Sequence, residues 1–431
     1  MKIGLYIQGE KDYNLLSFWK RLKDISKQDL DILVFPETCY TTYRKDFYGI
    51  RISDDNEVKR PIGRAIQISK KIGCAVVVGS EDKDGLIYSV YANAFASRGE
   101  TDHRIYIKHT MANNSPLGFP EYKERIREIF NPVILKGTRI GMTICYDCNH
   151  SAFSRAWGKQ GVDIIINSTG GNVVYHKWHR YNKTRSLENK CFSFCTMGYS
   201  KKDKINSYAF AFTPNGAQMT GKPIYPVRSE KDTINNIFIY DTADFDNSYE
   251  PDISLDQNTS DNTNKGEWKI NPAAKEIESL LNSSKIVEKG LYTYKANGIN
   301  LVICSIDGNE IIEPRNILRK LYSPSLSELP DKRYLIINRW KEHDDHMYDT
   351  VLSDILKVRA IENYCAVVYT SPQKSMCFQS GKTKNVQSVA LIEGVFFLDF
   401  GRMTGPETIW RNKESMKASW RKGYETLINT L

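Results

Sequence analysis

One stretch decides the fold of this chain: Arg139-Ile-Gly-Met-Thr-Ile-Cys145-Tyr-Asp147. Its apolar middle is typical of a buried strand, and polar residues follow as soon as the pattern ends at Cys145. Residues 154–160 then show a short helical pattern that closes at Gly161. A thiol that faces a helix N-terminus is favoured as a thiolate, whereas free cysteines are also often buried in cores. Taken alone, the stretch favours a core cysteine over a nucleophile.

The length and composition predict a soluble protein with two domains. The 431 residues exceed what one hydrophobic core usually organises, and 41% of them are hydrophobic. No apolar run approaches the roughly 18 residues of a membrane span. The apolar segment at the N-terminus is too short for a signal peptide. We therefore expect a cytoplasmic protein whose nine cysteines are reduced.

The net charge of +9 does not form a pattern typical of nucleic-acid binding. Positive residues are dispersed, and no basic run is interleaved with aromatic residues as in a groove for single strands. The pattern favours a solvated basic surface. We do not expect nucleic acid as a partner, although an acidic partner stays open.

Strand and helix patterns alternate along the first half of the chain, which predicts an α/β fold. Two charged residues, Glu37 and Lys108, stand where predicted strands end. Because α/β folds place their chemistry at such ends, both are candidate site residues. The alternatives are a loop carboxylate and a surface lysine with a buried stem. The patterns predict strands at 2–8, 31–35, 74–79, 163–168, 195–198, 208–213 and 237–241, a hairpin from 87–96 and 101–108, and helices at 13–27, 60–72 and 175–195.

The second half of the chain is predicted to repeat part of the first. A first domain at 1–247 is followed by a polar linker, which we place at 248–268. Beyond the linker, Cys304 is the predicted counterpart of Cys145, but Glu37 and Lys108 have no counterpart. The prediction for 269–431 is a degenerate half-repeat. The matching stretches are 138–147 with 298–307, 162–167 with 333–338, and 185–194 with 359–368.

Three motifs resemble the signatures of the nitrilase superfamily, the carbon–nitrogen hydrolases: Phe35-Pro-Glu37, Tyr106-Ile-Lys108 and Ile144-Cys145-Tyr-Asp147. Arg185-x-x-Glu188-Asn189, with Trp178 seven residues earlier, resembles the helix motif of that family. The resemblance covers about residues 1–247. It implies a four-layer αββα sandwich of the nitrilase type, followed by the partial repeat.

The resemblance also implies a reaction on a small amide or nitrile. Cys145 would attack the carbon and form a thioester, with Glu37 as general base and acid. Lys108 would lower the pKa of the thiol and stabilise the oxyanion, and the backbone N–H of Tyr146 would be the second oxyanion donor. Glu121 would orient the lysine or the substrate, with Glu124 as a near alternative for that role.

The substrate pocket is where this chain departs from the family. Thr41-Thr-Tyr43 replaces the usual Gly-Tyr, and Cys148-Asn-His150-Ser replaces Phe-Pro-Glu. His176 and His179 flank the same side of the predicted helix, where the alternative is a pair of surface histidines. The predicted pocket residues are Tyr43, His150, Asn172 and His176.

Other functions stay open beside amide hydrolysis. The pairs Cys145-x-x-Cys148 and Cys191-x-x-x-Cys195 could be read as a zinc or redox site, but their spacing and apolar surroundings disfavour it, so we expect no metal and no cofactor. An N-acyltransferase could use the same thioester. A non-catalytic interaction module is the second alternative. A synthetase-linked glutaminase is disfavoured, because 248–431 contain no Gly-rich phosphate loop.

We expect either a homo-oligomer or a pseudo-dimer formed by the half-repeat.

Overall fold

A computed structural model divides the chain into two compact units, Met1–Tyr249 and Glu250–Thr426. The predicted linker, 248–268, lies outside the described residues, so its limits stay a prediction. In the first unit the structure describes 1–7, 23–39, 61–81, 87–109, 130–149, 151–170, 175–198, 208–225 and 236–245. In the second unit it describes 285–288, 291–296, 299–306, 333–339, 354–356, 358, 366–370 and 375–378.

The first unit contains a seven-stranded sheet. The first three strands run parallel, while the hairpin β4–β5 and the last strand, β13, pair antiparallel. The strand order is β12-β13-β1-β2-β3-β4-β5. The strands are β1 (Lys2–Ile7), β2 (Ile32–Val34), β3 (Ala75–Glu81), β4 (Ile87–Ala92), β5 (His103–Ile107), β12 (Lys222–Pro223) and β13 (Asn236–Asp241).

The second sheet of this unit has six strands in the order β11-β10-β9-β8-β7-β6. Its central strands β7, β8 and β9 are parallel. All six residues of β8 are buried, as expected for a parallel strand that is covered on both faces. The strands are β6 (Val133–Leu135), β7 (Thr138–Ile144), β8 (Ile164–Thr169), β9 (Phe192–Met197), β10 (Ala209–Phe212) and β11 (Gln218–Met219).

The two sheets contact each other, and helices pack on them. β1 contacts β9 and β10, while β4 and β5 contact β7. Helix α1 (Pro61–Ile72) packs on β3 and β4, and α2 (Ser151–Lys159) and α3 (Tyr175–Asn189) pack together on the second sheet. Of the predicted helix 13–27, residues 23–25 are helical and residues 13–22 lie outside the described residues. The four-layer αββα sandwich therefore stays a prediction. None of the described helices is long and apolar enough to cross a membrane.

Helix α1 shows why the local sequence forms this fold. Ala65, Ile68 and Ile72 lie on one face and are buried against the sheet. The helix ends at Gly73, whose φ of +83° lies in the left-handed region that glycine adopts without strain. The buried hydroxyl of Ser69 donates to the carbonyl of Cys74 at 2.7 Å, so the chain turns directly into β3.

The prediction of one helix over 175–195 was wrong at its C-terminal end. Helix α3 ends at Asn189, and Lys190 adopts a left-handed φ of +50°. The apolar segment that follows becomes β9, because β8 satisfies its backbone groups through a parallel ladder. Since Lys190 rather than a glycine makes the turn, no local signal marked the helix end.

The second unit contains one sheet in the order β14-β15-β16-β17-β18-β19. From β15 to β19 the successive pairings are antiparallel, parallel, parallel and antiparallel, as they are from β6 to β10 in the first unit. The strands are β14 (Lys285–Glu288), β15 (Leu291–Ala296), β16 (Ile299–Ile306), β17 (Arg333–Arg339), β18 (Ala366–Thr370) and β19 (Ser375–Phe378).

The register of the second unit corrects one detail of the predicted repeat. Cys145 follows the end of β7, whereas Cys304 lies inside β16 and pairs with Ile337. Cys304 therefore does not occupy the position of Cys145 at the end of a strand. The repeat itself stays a prediction, supported by the shared order of pairings.

Candidate active site

Three predicted residues from three different strand ends meet in the first unit. Glu37 follows β2, Lys108 follows β5 and Cys145 follows β7. Lys108 Nζ donates to Glu37 Oε1 at 2.6 Å, and the Cys145 thiol also hydrogen-bonds to Glu37. All three residues are buried, with exposed fractions of 6% for Glu37, 2% for Lys108 and 1% for Cys145. The arrangement brings a carboxylate, a cation and a thiol into one small buried cluster.

Gly170 is a fourth member of this cluster. Its backbone N–H donates to Glu37 Oε2 at 2.8 Å and also contacts the sulfur of Cys145. The residue directly follows β8, so it stands at the same edge of the sheet as Cys145. The sequence contained only a weak signal for it, namely two glycines after a predicted strand.

The position of Glu37 depends on a close backbone approach to β3. A Cβ atom on Gly79 would lie 2.4 Å from the carbonyl oxygen of Pro36 and 2.9 Å from the Cα of Glu37. The thiol of Cys39 donates to the carbonyl of Gly79 at 3.6 Å, and burial raises the pKa of Cys39 to about 12. Only glycine permits this contact, so Gly79 sets where the carboxylate of Glu37 stands.

Cys145 adopts a strained backbone conformation. Its φ of +46° is left-handed, which costs a non-glycine residue about 1–3 kcal/mol. The buried side chain of Asn167 on β8 supports this conformation, because its Nδ2 donates to the carbonyl of Cys145 at 3.4 Å and to Thr143 Oγ1 at 2.9 Å. The strained turn begins the 3₁₀ helix Cys145–Asn149 and turns the chain out of the sheet.

The electrostatics of the cluster keep the thiol of Cys145 protonated. Burial raises the pKa of Cys145, and the charge of Glu37 raises it further. The positive charge of Lys108 and the N–H of Gly170 lower it by less than the other effects raise it. Cys145 is therefore a neutral thiol at neutral pH, with a hydrogen-bonded carboxylate beside it.

Lys108 is the cation of the cluster. Burial alone would lower its pKa, but the charge and the hydrogen bond of Glu37 favour the protonated form, and the pKa of Lys108 is raised above the ordinary value. The ammonium group is therefore protonated at neutral pH. A buried ammonium group fixed beside a sulfur can act on negative charge that develops there.

The Arg185 motif supports the turn that follows Cys145. Arg185 Nη1 pairs with Glu188 Oε2 at 2.8 Å, and Arg185 Nε donates to the carbonyl of Cys148 at 2.8 Å. Both charged side chains are 1% exposed. The motif thus joins α3 to the 3₁₀ helix.

The other predicted site residues have different outcomes. Tyr146 is buried, and its ring lies 5.7 Å from the Trp178 ring, centroid to centroid. His179 Nε2 lies 3.0 Å from Gln218 Oε1, and its ring packs on Phe212 of β10. Tyr43, Glu121, Glu124, His150 and Asn172 lie outside the described residues, as does the side chain of His176.

The remaining cysteines of the first unit are buried and form no disulfide bond. Burial raises the pKa of Cys148 and of Cys195. Where the structure describes the chain, no three His, Cys, Asp or Glu side chains are placed to hold a metal ion.

The first half of the chain is similar in sequence to known proteins. Residues 3–212 match the family described as "Carbon-nitrogen hydrolase". A nitrilase from Pyrococcus abyssi (strain GE5 / Orsay) is 25% identical over 197 residues, which cover 43% of this chain and 68% of that protein. An (R)-stereoselective amidase from Pseudomonas sp. is 28% identical over 172 residues, which cover 38% of this chain and 58% of that protein.

Solved structures of similar proteins include an amidase from Nesterenkonia sp., with a TM-score of 0.41 and 14% identity over 56% of this chain and 89% of that one. A carbon–nitrogen hydrolase from Helicobacter pylori G27 has a TM-score of 0.38 and 11% identity over 55% of this chain and 88% of that one. The sequence match, which covers a little under half of the chain, includes Glu37, Lys108 and Cys145. Residues 3–212 are a carbon–nitrogen hydrolase domain of the nitrilase superfamily.

Proposed function

We propose that this protein is a thiol-dependent hydrolase that cleaves a C–N bond, other than a peptide bond, of a small amide or nitrile. One observation carries the proposal: the buried carboxylate of Glu37 contacts the thiol of Cys145 and the ammonium group of Lys108 at the same time. A base and a cation beside one sulfur are what attack on an unreactive amide carbon requires.

The neutral thiol defines the first step of the proposed mechanism. As the sulfur of Cys145 forms a bond to the amide carbon, its proton moves to Glu37. The tetrahedral intermediate then collapses, the C–N bond breaks, and Glu37 returns the proton to the leaving amine. A water molecule next attacks the thioester with Glu37 as base, which releases the acid and restores the thiol.

Lys108 and the backbone N–H of Tyr146 would stabilise the oxyanion of both tetrahedral intermediates. Lys108 is buried and protonated, so its charge acts where little water screens it. Loss of a single oxyanion donor costs about 2.7–4 kcal/mol in other hydrolases, so Lys108→Met should nearly abolish turnover.

Two alternatives use the same residues differently. An N-acyltransferase would pass the acyl group of the thioester to an amine instead of water. A non-catalytic interaction module would need none of the three side chains. The strained φ of Cys145 and the buried Lys108–Glu37 pair both cost free energy, which a mere interaction surface would not require.

Detection of an acyl adduct tests the proposed function. The full-length protein is incubated with small amides, nitriles and acylated metabolites, and intact mass spectrometry records any acyl group on Cys145. Cys74→Ala is the matched control, because Cys74 is also buried but lies outside the cluster, directly before β3. A Cys145→Ala variant that turns substrate over as fast as the wild type would exclude the mechanism. Adding an acceptor amine separates acyl transfer from hydrolysis by the product formed.

The role of the second unit is part of the proposal. We infer that residues 269–431 are a degenerate half-repeat without a catalytic centre, since the sequence between the predicted linker and the Cys304 strand is too short to supply counterparts of Glu37 and Lys108. A homo-oligomer and a pseudo-dimer within one chain predict different masses in solution. Sedimentation velocity on the full-length protein distinguishes them.

Localisation in the cytoplasm is also a proposal, which fractionation of cells would test.

A further inference from the structure

Asp147 is a buried acid to which the proposed mechanism assigns no role. It is 0% exposed and lies in the 3₁₀ helix two residues after Cys145. Tyr106 Oη donates to its Oδ2 at 2.9 Å. The backbone N–H of His109 donates to Oδ1 at 3.2 Å, and the backbone N–H of Ile144 donates to Oδ2 at 3.2 Å. Three donors on one buried carboxylate form a strong, geometrically fixed contact.

The three donors belong to two different sheets. Tyr106 lies on β5 and His109 follows it, so they bracket Lys108 on both sides. Ile144 ends β7 directly before Cys145. The carboxylate of Asp147 therefore connects the backbone that carries the lysine with the backbone that carries the cysteine.

The surroundings hold this connection in place. The Tyr106 ring contacts the Phe130 and Trp157 rings, and the His109 ring lies against both the Phe130 and the Phe153 ring, nearly parallel to each. Burial and the charge of Asp147 raise the pKa of Tyr106, so its hydroxyl keeps the proton that it donates. Burial lowers the pKa of His109 to about 3, so the imidazole is neutral at neutral pH.

We propose that Asp147 is a positioning residue, whose carboxylate ties the Lys108 strand to the Cys145 turn and so holds the ammonium group beside the sulfur. This inference rests on the proposed function of Lys108. If the tie loosens, Lys108 acts on the thiol from a longer distance. A displacement of about 1 Å within a catalytic site can cost about 100-fold in rate.

The test measures how fast iodoacetamide labels Cys145 in the full-length protein, by peptide mass mapping over a range of pH. Because the charge of Lys108 lowers the pKa of Cys145, this rate reports the position of the ammonium group. The variants are Tyr106→Phe, Lys108→Met and their combination, together with Asp147→Asn. Tyr91→Phe is the matched control, since Tyr91 is also fully buried but lies on β4, where it pairs with Arg104.

We expect Tyr106→Phe to slow labelling about tenfold and to move the pH profile upwards, while Tyr91→Phe changes neither. In the Lys108→Met background, Tyr106→Phe should have no further effect, because a positioning residue acts through the lysine. A purely structural role would change the melting temperature without this dependence on Lys108. If Asp147→Asn does not fold, the comparison of Tyr106→Phe with and without Lys108 still tests the inference about Asp147.

Labelling at the wild-type rate in Tyr106→Phe would overturn the inference about Asp147. The same conclusion follows if Tyr106→Phe slows labelling equally with and without Lys108. A wild-type rate in Lys108→Met itself is a different result: it would contradict the proposed function of Lys108, and the inference would fall with it.

Discussion

Replacing Glu37 by glutamine should lower the turnover of substrate without lowering the reactivity of the Cys145 thiol. In the wild type, Glu37 Oε1 accepts from Lys108 at 2.6 Å and Oε2 accepts from Gly170 at 2.8 Å. A glutamine has one oxygen and one NH₂ group in these places. Whichever way the amide is turned, one donor therefore faces another donor, and the variant cannot act as a base.

The expected magnitude follows from the loss of general base catalysis. Such catalysis contributes about 10²–10⁴-fold, so turnover of the substrate found by screening should fall by that factor. The corresponding rise in the activation free energy is about 3–5 kcal/mol. Since the charge of Glu37 raises the pKa of Cys145, its removal should lower that pKa. Alkylation of Cys145 by iodoacetamide should then be as fast as in the wild type or faster.

The assay compares both rates on the same protein preparation. Steady-state turnover reports the base, and labelling of Cys145 followed by peptide mass mapping reports the thiolate. Near-UV circular dichroism confirms that the variant is folded. If labelling slows as much as turnover, Glu37 acts mainly by holding the site together, and the assignment of the base is wrong. Unchanged turnover would refute it directly.

Three further predictions concern the framework of the site. Burial lowers the pKa of His109 to about 3, so the stability that depends on the neutral imidazole is complete above its ordinary pKa of 6.5 and is lost as the pH falls towards 3, by up to about 1.4 kcal/mol per pH unit. His109→Phe should reduce this acid sensitivity in urea titrations at different pH. An unchanged dependence of the unfolding free energy on pH would contradict this expectation. Gly79→Ala should destabilise the fold by about 1–3 kcal/mol and impair turnover, because its Cβ would meet the carbonyl of Pro36; a stable, fully active variant would show that Gly79 does not set the position of the site. Arg185→Met should cost about 3–5 kcal/mol in chemical denaturation, because it breaks a buried, hydrogen-bonded ion pair with Glu188. A loss below about 1 kcal/mol would mean that the pair contributes little.

Much of the fold was predictable from sequence because its strands are short apolar runs with clear ends. The hairpin was predicted at 87–96 and 101–108, and the structure has β4 and β5 there, paired antiparallel. Helix α3 was predicted too long, since its end at Lys190 is decided by the pairing of β9 with β8 and not by the local residues. Local sequence patterns report burial and periodicity, but they do not report which strand supplies the hydrogen bonds.

For the site, the sequence by itself determined which residue types stand at the strand ends: Glu37, Lys108 and Cys145. Tertiary structure alone decided that they meet, that Gly170 joins them and that Asp147 connects the two sheets. It also decided the protonation of Cys145. The local stretch contains both a helix N-terminus, which favours a thiolate, and an apolar strand, which favours a buried thiol; complete burial beside a carboxylate keeps the thiol neutral. The reason is physical: pKa values and contact distances depend on desolvation and on charges from distant parts of the chain, which no local pattern contains.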